Sequence, residues 1–189
     1  MEPRVCVVGH KNAAIECAGF LKDLGHLACV VTQPSWQGDF VQWCADRRVP
    51  CLIGSPNLYA DQLGEMDYIF CLQYRYKFGR RLLTVPCINM HYSLLPRHAG
   101  CHTLRHVIDS GDRVAGLTFH EMTENYDDGD ILWQAMVQVE SDEFQELHRH
   151  MTKLAISTFP FMYRALIEGR LTPTKQDLSQ QLYHHREAA

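Results

Sequence analysis

The segment Cys87-Ile-Asn-Met-His-Tyr-Ser-Leu-Leu-Pro-Arg-His-Ala-Gly100 holds the residues best suited to chemistry in this chain. Asn89 and His91 stand two residues apart at the end of an apolar run. Side chains alternate across a strand, so the two face the same side. An amide and an imidazole so placed can donate to a carbonyl oxygen that gains charge during acyl transfer, where losing one such donor costs about 3 kcal/mol of barrier. Further along, Gly116-Leu-Thr-Phe-His120 and Asp127-Asp-Gly129 supply a second imidazole and a carboxylate. A carboxylate can orient a histidine and help carry the proton that an attacking amine must lose. Taken singly, each residue has a plainer explanation: a turn asparagine, a packed histidine, a solubilising loop charge. Their joint occurrence beside Pro96 and Gly100 favours a site.

The elements that must position these residues follow from periodicity. Arg4–Val8 reads as a buried strand ended by Gly9. Asn12–Leu24 has apolar residues at helical spacing, with Asn12 as the expected N-cap and Gly25 as the stop. Leu27–Thr32, Pro50–Ile53, Tyr68–Leu72 and Cys87–Met90 read as further strands, and Asp39–Arg47 and Leu104–Asp109 as helices. Ala115–Glu121 and Ile131–Glu140 read as paired strands around the acidic loop, and Glu143–Ile167 as a long terminal helix. Strand-helix alternation early and a hairpin later predict an α/β fold. It is a Rossmann-like, mostly parallel sheet with flanking helices, a C-terminal hairpin and a long terminal helix. The expected organisation is one domain over 1–189. Residues 1–86 form the Rossmann-like half, 87–140 the catalytic strand and acidic loop, 141–170 the terminal helix, and 171–189 a polar tail that frays from His184 onward. In such sheets ligands gather at the carboxyl ends of strands, where Gly9–Asn12, Tyr74 and Asn89–His91 fall.

With 189 residues, 46% hydrophobic and 21% charged, the chain can bury an ordinary core. A net charge of −4 gives no global attraction for nucleic acid. The tight basic cluster is Arg75, Lys77, Arg80 and Arg81, read as a solvated face or as a contact for a substrate phosphate or carboxylate. No apolar run is long enough for a bilayer, and the Met-Glu-Pro-Arg start does not look like a secretory leader, so a cytoplasmic location is expected. Eight cysteines without a CxxC pair read as buried reduced thiols. His98, His102 and His106 at helical spacing, with Cys101 beside them, raise a zinc alternative, and with it a zinc-dependent hydrolase. The reading preferred here holds no metal. Asp127, Asp128 and Asp130 lack the pattern of a calcium loop. Trp36, Trp43 and Trp133 suit core or pocket-lining roles equally.

The three spaced parts Asn89-Met-His91-Tyr-Ser93-Leu-Leu-Pro96, Gly116-Leu-Thr118-Phe-His120 and Asp127-Asp-Gly129 resemble the signature of the 10-formyltetrahydrofolate-dependent formyltransferases. That family includes enzymes acting on methionyl-tRNA, on glycinamide ribonucleotide and on amino sugars. Val31-Thr-Gln-Pro34 is similar to the family as well. The resemblance implies a folate-dependent N-formyltransferase with Asn89, His91 and Asp127 catalytic, and Ser93 and Thr118 supporting. It implies a folate set of Leu72, Tyr74, Tyr76, Phe78, Glu121, Met122 and Asp127, and places Ser93 and His120 at the substrate, to which His98 and His102 are added because they follow the strand that carries Asn89 and His91. The formyl donor would be 10-formyltetrahydrofolate. The partner would be a small-molecule amine, with neither nucleic acid nor membrane, and the oligomeric state is open, a homodimer included. Gly9-His10-Lys11-Asn12 lacks a glycine-rich phosphate loop, against a glycinamide ribonucleotide acceptor. The length argues against a methionyl-tRNA acceptor. An amino sugar, nucleotide-linked or not, or an amino acid is the expected acceptor, and the tail 181–186 is similar to a Tyr-His-Arg segment of sugar N-formyltransferases. Alternatives are a formyl-tetrahydrofolate hydrolase, methionyl-tRNA formyltransferase-like activity and a non-catalytic folate binder.

Overall fold

Four β-rich apolar segments build the first half of the chain, and their burial explains why they lie inside a sheet. The computed structural model of the protein describes residues 2–33, 38–74 and 76–185. Pro34, Trp36, Arg75 and Arg186, named above, lie outside the described residues. The chain divides into two compact units, Met1–Asn89 and Met90–Ala189.

In the first unit, β1 (Val5–Gly9) is buried along its whole length and runs parallel to both β2 (Leu27–Thr32) and β4 (Tyr68–Leu72). β3 (Cys51–Ile53) pairs parallel with β2, so the order is β3-β2-β1-β4, with the start of β5 (Cys87–His91) next to β4. Largely buried, β1, β2 and β4 read as unbroken apolar runs rather than alternating ones, whereas the edge strand β3 is half-buried with Ile53 exposed. Gly9 is required by close approach, since a Cβ there would meet the Leu72 carbonyl oxygen at 2.2 Å. Helix α1 (Lys11–Asp23) buries Ala13, Ala14, Cys17, Ala18 and Leu21. It ends at Gly25 with φ +78°, where the Gly25 and His26 amides donate to the Lys22 and Leu21 carbonyls. The expected Asn12 cap is corrected. His10 holds the cap position without a side-chain bond, and Asn12 lies inside the helix. Helix α2 (Gly38–Arg47) and the short α3 (Ala60–Leu63) complete the unit.

The second unit begins with the last residues of β5. It contains β6 (Ala99–Gly100), α4 (Thr103–Asp109), the antiparallel pair β7 (Val114–Glu121) and β8 (Ile131–Gln138), α5 (Phe144–Ile167) and β9 (Tyr183–His184). Helix α5 buries Leu147, Met151, Ala155, Phe159, Met162 and Tyr163, a three-four spacing that presents one apolar stripe. Phe159 on α5 meets Phe119 on β7 at 6.1 Å between ring centroids. β9 pairs parallel with β6. This corrects the expectation of a tail frayed from His184, because main-chain pairing fixes that residue.

Candidate active site

The end of β5 carries Asn89 half-buried and His91 buried. Both side chains leave the same strand face. The His91 Nε2 lies 2.9 Å from the carbonyl oxygen of His98. A carbonyl only accepts, so Nε2 bears the proton and the neutral ring turns the Nδ1 lone pair elsewhere. That Nδ1 stands 3.5 Å from Oδ1 of Asp127. His120, buried on β7, repeats the arrangement: its Nδ1 donates to the Glu121 carbonyl at 2.8 Å, and its Nε2 stands 3.5 Å from the same Oδ1. Two imidazole nitrogens and a carboxylate oxygen therefore converge on one place.

Burial and these neighbouring charges set the electrostatics of the site. Burial pushes the His91 imidazole below its ordinary value against the pull of Asp127, leaving it neutral near neutral pH. Burial also pushes the Asp127 carboxyl up. The His91 charge, the hydrogen bond and charge of His120, and the Gly100 amide outweigh that and hold it below the usual range. The Gly100 N–H donates to Asp127 Oδ2 at 2.9 Å, which leaves Oδ1 aimed at the histidines. Asp127 has φ +55°, a left-handed conformation that aspartate tolerates better than most residues. Gly129 admits no side chain, because a Cβ would meet the Glu121 carbonyl oxygen at 2.0 Å. Asp128 accepts hydrogen bonds from Thr123 and from Asn125, so it ties the acidic loop together.

The match to known proteins falls on these residues. The formyl transferase model matches residues 66–160, a stretch that holds all three parts of the motif and both histidines facing Asp127. The chain belongs to the formyl transferase family. A methionyl-tRNA formyltransferase of Anaeromyxobacter dehalogenans is 28% identical over 94% of this chain and 63% of its own length. Another, from Caldanaerobacter subterraneus, is 34% identical over 50% of this chain and 32% of its own. The chain thus spans less than two thirds of these relatives. Among solved structures, the N-formyltransferase from Helicobacter canadensis in complex with folinic acid and dTDP-3-aminofucose has a TM-score of 0.82 at 18% identity, covering 99% of this chain and 72% of that one. Glycinamide ribonucleotide transformylase 1 from Symbiobacterium toebii has a TM-score of 0.81 at 23% identity, covering 93% and 95%. These structures share the fold, which is the formyltransferase fold expected from the sequence.

The remaining residues drawn from the family signature take varied positions. Ser93 is buried and its Oγ donates to the Arg97 carbonyl at 2.8 Å. Thr118 is buried, donates to the Ser93 carbonyl at 2.7 Å and accepts from the Leu95 amide at 3.1 Å and Gln134 Nε2 at 2.9 Å. Both brace the Pro96 loop. Of the residues expected at the folate, Leu72, Tyr74 and Phe78 are buried and Tyr76 is 46% exposed, all in the first unit. Tyr74 packs edge-on against Tyr76 and Phe78, and its Oη accepts from Gln33. Glu121 ends β7 exposed and Met122 follows it half-buried, in the second unit with Asp127.

The helical face proposed for zinc is not formed. His98 is buried in the loop at φ +52°, His102 is an exposed left-handed residue at the start of α4, and only His106 lies inside the helix. Among the described residues no group of three ligating side chains is arranged for a metal. His98 instead bonds Asp112 through Nε2 at 2.7 Å and His184 through Nδ1 at 2.9 Å, and His184 stacks on His106 with centroids 3.5 Å apart. Asp112 belongs to no local pattern in the sequence, and His184 is marked there only as part of the tail 181–186. In the basic cluster, Arg81 pairs with Asp61.

Proposed function

We propose that the chain transfers a formyl group from 10-formyltetrahydrofolate to the primary amine of a small molecule, an amino sugar or an amino acid. The observation that carries this reading is the convergence of His91 Nδ1 and His120 Nε2 on one oxygen of Asp127, within the formyl transferase motif. The neutral amine attacks the formyl carbon. Asn89 donates to the developing oxyanion. The proton released by the amine enters the His91, His120 and Asp127 cluster, and a protonated His91 adds positive charge beside the oxyanion. The same proton then goes to the nitrogen of tetrahydrofolate as the carbon–nitrogen bond breaks. In the described geometry the His91 Nε2–H is already given to the His98 carbonyl, so its direct use as an oxyanion donor requires that bond to be shared or exchanged.

An amino-sugar nucleotide acceptor is supported by the ligands named for the Helicobacter canadensis protein. A methionyl-tRNA acceptor is the second reading, favoured by the names of the sequence relatives and opposed by the net charge of −4. The test offers the purified protein the formyl donor with nucleotide-linked amino sugars, free amino sugars, amino acids and methionyl-tRNA. Release of tetrahydrofolate dependent on one small amine is expected, with an Asn89→Ala loss of about 100-fold in kcat. Donor hydrolysis without any acceptor would assign a hydrolase instead. Folate binding with neither activity would assign a binding protein.

A further inference from the structure

Residues 174–184 run past α5 and meet the two loops that carry the proton cluster. Thr174 and Ile131 exchange main-chain hydrogen bonds of 2.8 and 2.9 Å. The side chain of Gln176 reaches in: its Nε2 donates to the carbonyl oxygens of Asp127 at 3.1 Å and Gly129 at 2.7 Å. Gln181 Nε2 lies 3.4 Å from the same Asp127 carbonyl. Beyond it, Leu182 and His184 accept from the Ala99 and Cys101 amides, both at 2.9 Å, on either side of Gly100. Gly100 is the residue whose amide addresses the Asp127 carboxylate. One segment therefore grips Asp127 by its backbone and also holds the strand that orients its carboxylate.

The Gln176 amide is polarised toward this one task. Its Nε2 bonds two carbonyls, while its Oε1 is buried without a hydrogen-bond partner. Burying an acceptor in that way is unfavourable and is retained where the surrounding geometry matters. What it holds is the backbone of the turn, whose side-chain ties at Asp128 leave the Asp127 and Gly129 carbonyls to be bound from outside the loop. Asp127 is left-handed and persists there because its neighbours enforce it. We propose that Gln176 is a positioning residue. By fixing the Asp127–Gly129 turn it keeps Asp127 Oδ1 between His91 and His120, so the strap of residues 174–184 is part of the proton-handling site.

The consequence for turnover rests on the formyl-transfer reading, and the test separates the two. Gln176→Glu keeps the shape but replaces the donor with a charge facing two carbonyls, and Gln176→Met removes the donor without adding charge. Each is expected to melt as a folded protein and to lower kcat by about 100-fold while the KM for the formyl donor stays near that of the wild type. The second readout is the NMR titration of the His91 ring nitrogens, which needs no turnover. Displacing Asp127 removes the charge that favours imidazolium, so the His91 titration is expected at lower pH in both variants. Folded variants with wild-type kcat and an unmoved titration would overturn the proposal. A wild type without transfer activity would remove the functional reading alone, and the titration would still decide the strap.

Discussion

The two units of the chain hold themselves together by different means. In the first, Val5, Val7, Val8, Val30, Ile69, Phe70 and Leu72 are wholly buried in β1, β2 and β4, and area removed from water does the stabilising. In the second, the loops around Asp127 are held by directed bonds. Thr118 binds Ser93, Leu95 and Gln134, Thr103 binds Tyr92, Gly100 binds Asp127, and Gln176 binds Asp127 and Gly129. Burial tolerates small shifts in atom position, whereas proton transfer does not. The difference teaches where stability and chemistry can be separated by mutation.

The largest effects should fall on opposite sides of that division. Asp127→Asn keeps a residue that accepts the left-handed backbone, so kcat should drop about 1,000-fold with only a small fall in melting temperature. Phe70→Ala in β4 should do the reverse. It should cost about 4 kcal/mol in denaturant unfolding, while the fraction still folded keeps its turnover per active site. Equal losses of stability in both variants would erase the distinction. A middle case is Thr118→Val, which retains shape and strips a hydroxyl with three partners. Roughly 2 kcal/mol of destabilisation is expected, together with a measurable fall in kcat, because the loop it braces adjoins the site.

The smallest effect is pH dependence. His91 titrates below its ordinary value of 6.5 in the folded protein, so the unfolded chain binds the proton more readily. Its contribution to stability is therefore complete above about 6.5 and declines as pH falls below it. Asp127, held below 3.8, adds a second decline only as pH falls further through its folded value. Melting temperatures across pH should show the first step in the wild type and lose it in His91→Gln. The acid limb of kcat/KM should lie below 6.5 as well.

The first unit was the more legible from sequence for the same reason that it is the more tolerant. β2 and β4 were read to the residue as Leu27–Thr32 and Tyr68–Leu72, because continuous apolar runs announce buried strands. The long helix was read to within one residue by its stripe of buried positions. β6 and β9 were not legible. Two-residue strands have no period, and their pairing joins Ala99 to Tyr183 across the length of the second unit. The helix face weighed for a zinc alternative at His98, His102 and His106 does not form, because left-handed backbone at His98 and His102 interrupts the helical path. Gln176 gave no signal at all, since a glutamine in a polar stretch acquires meaning only from the two carbonyls it meets.

The left-handed backbone at Asp127 has a practical corollary for capturing ligands. Asparagine is nearly the same size, accepts that conformation and lacks the carboxylate oxygen that the proposed formyl transfer uses for the released proton. A crystal of the Asp127→Asn protein soaked with an unhydrolysed donor and a candidate acceptor should therefore retain both molecules side by side, making the acceptor visible even when its chemical name is unknown beforehand.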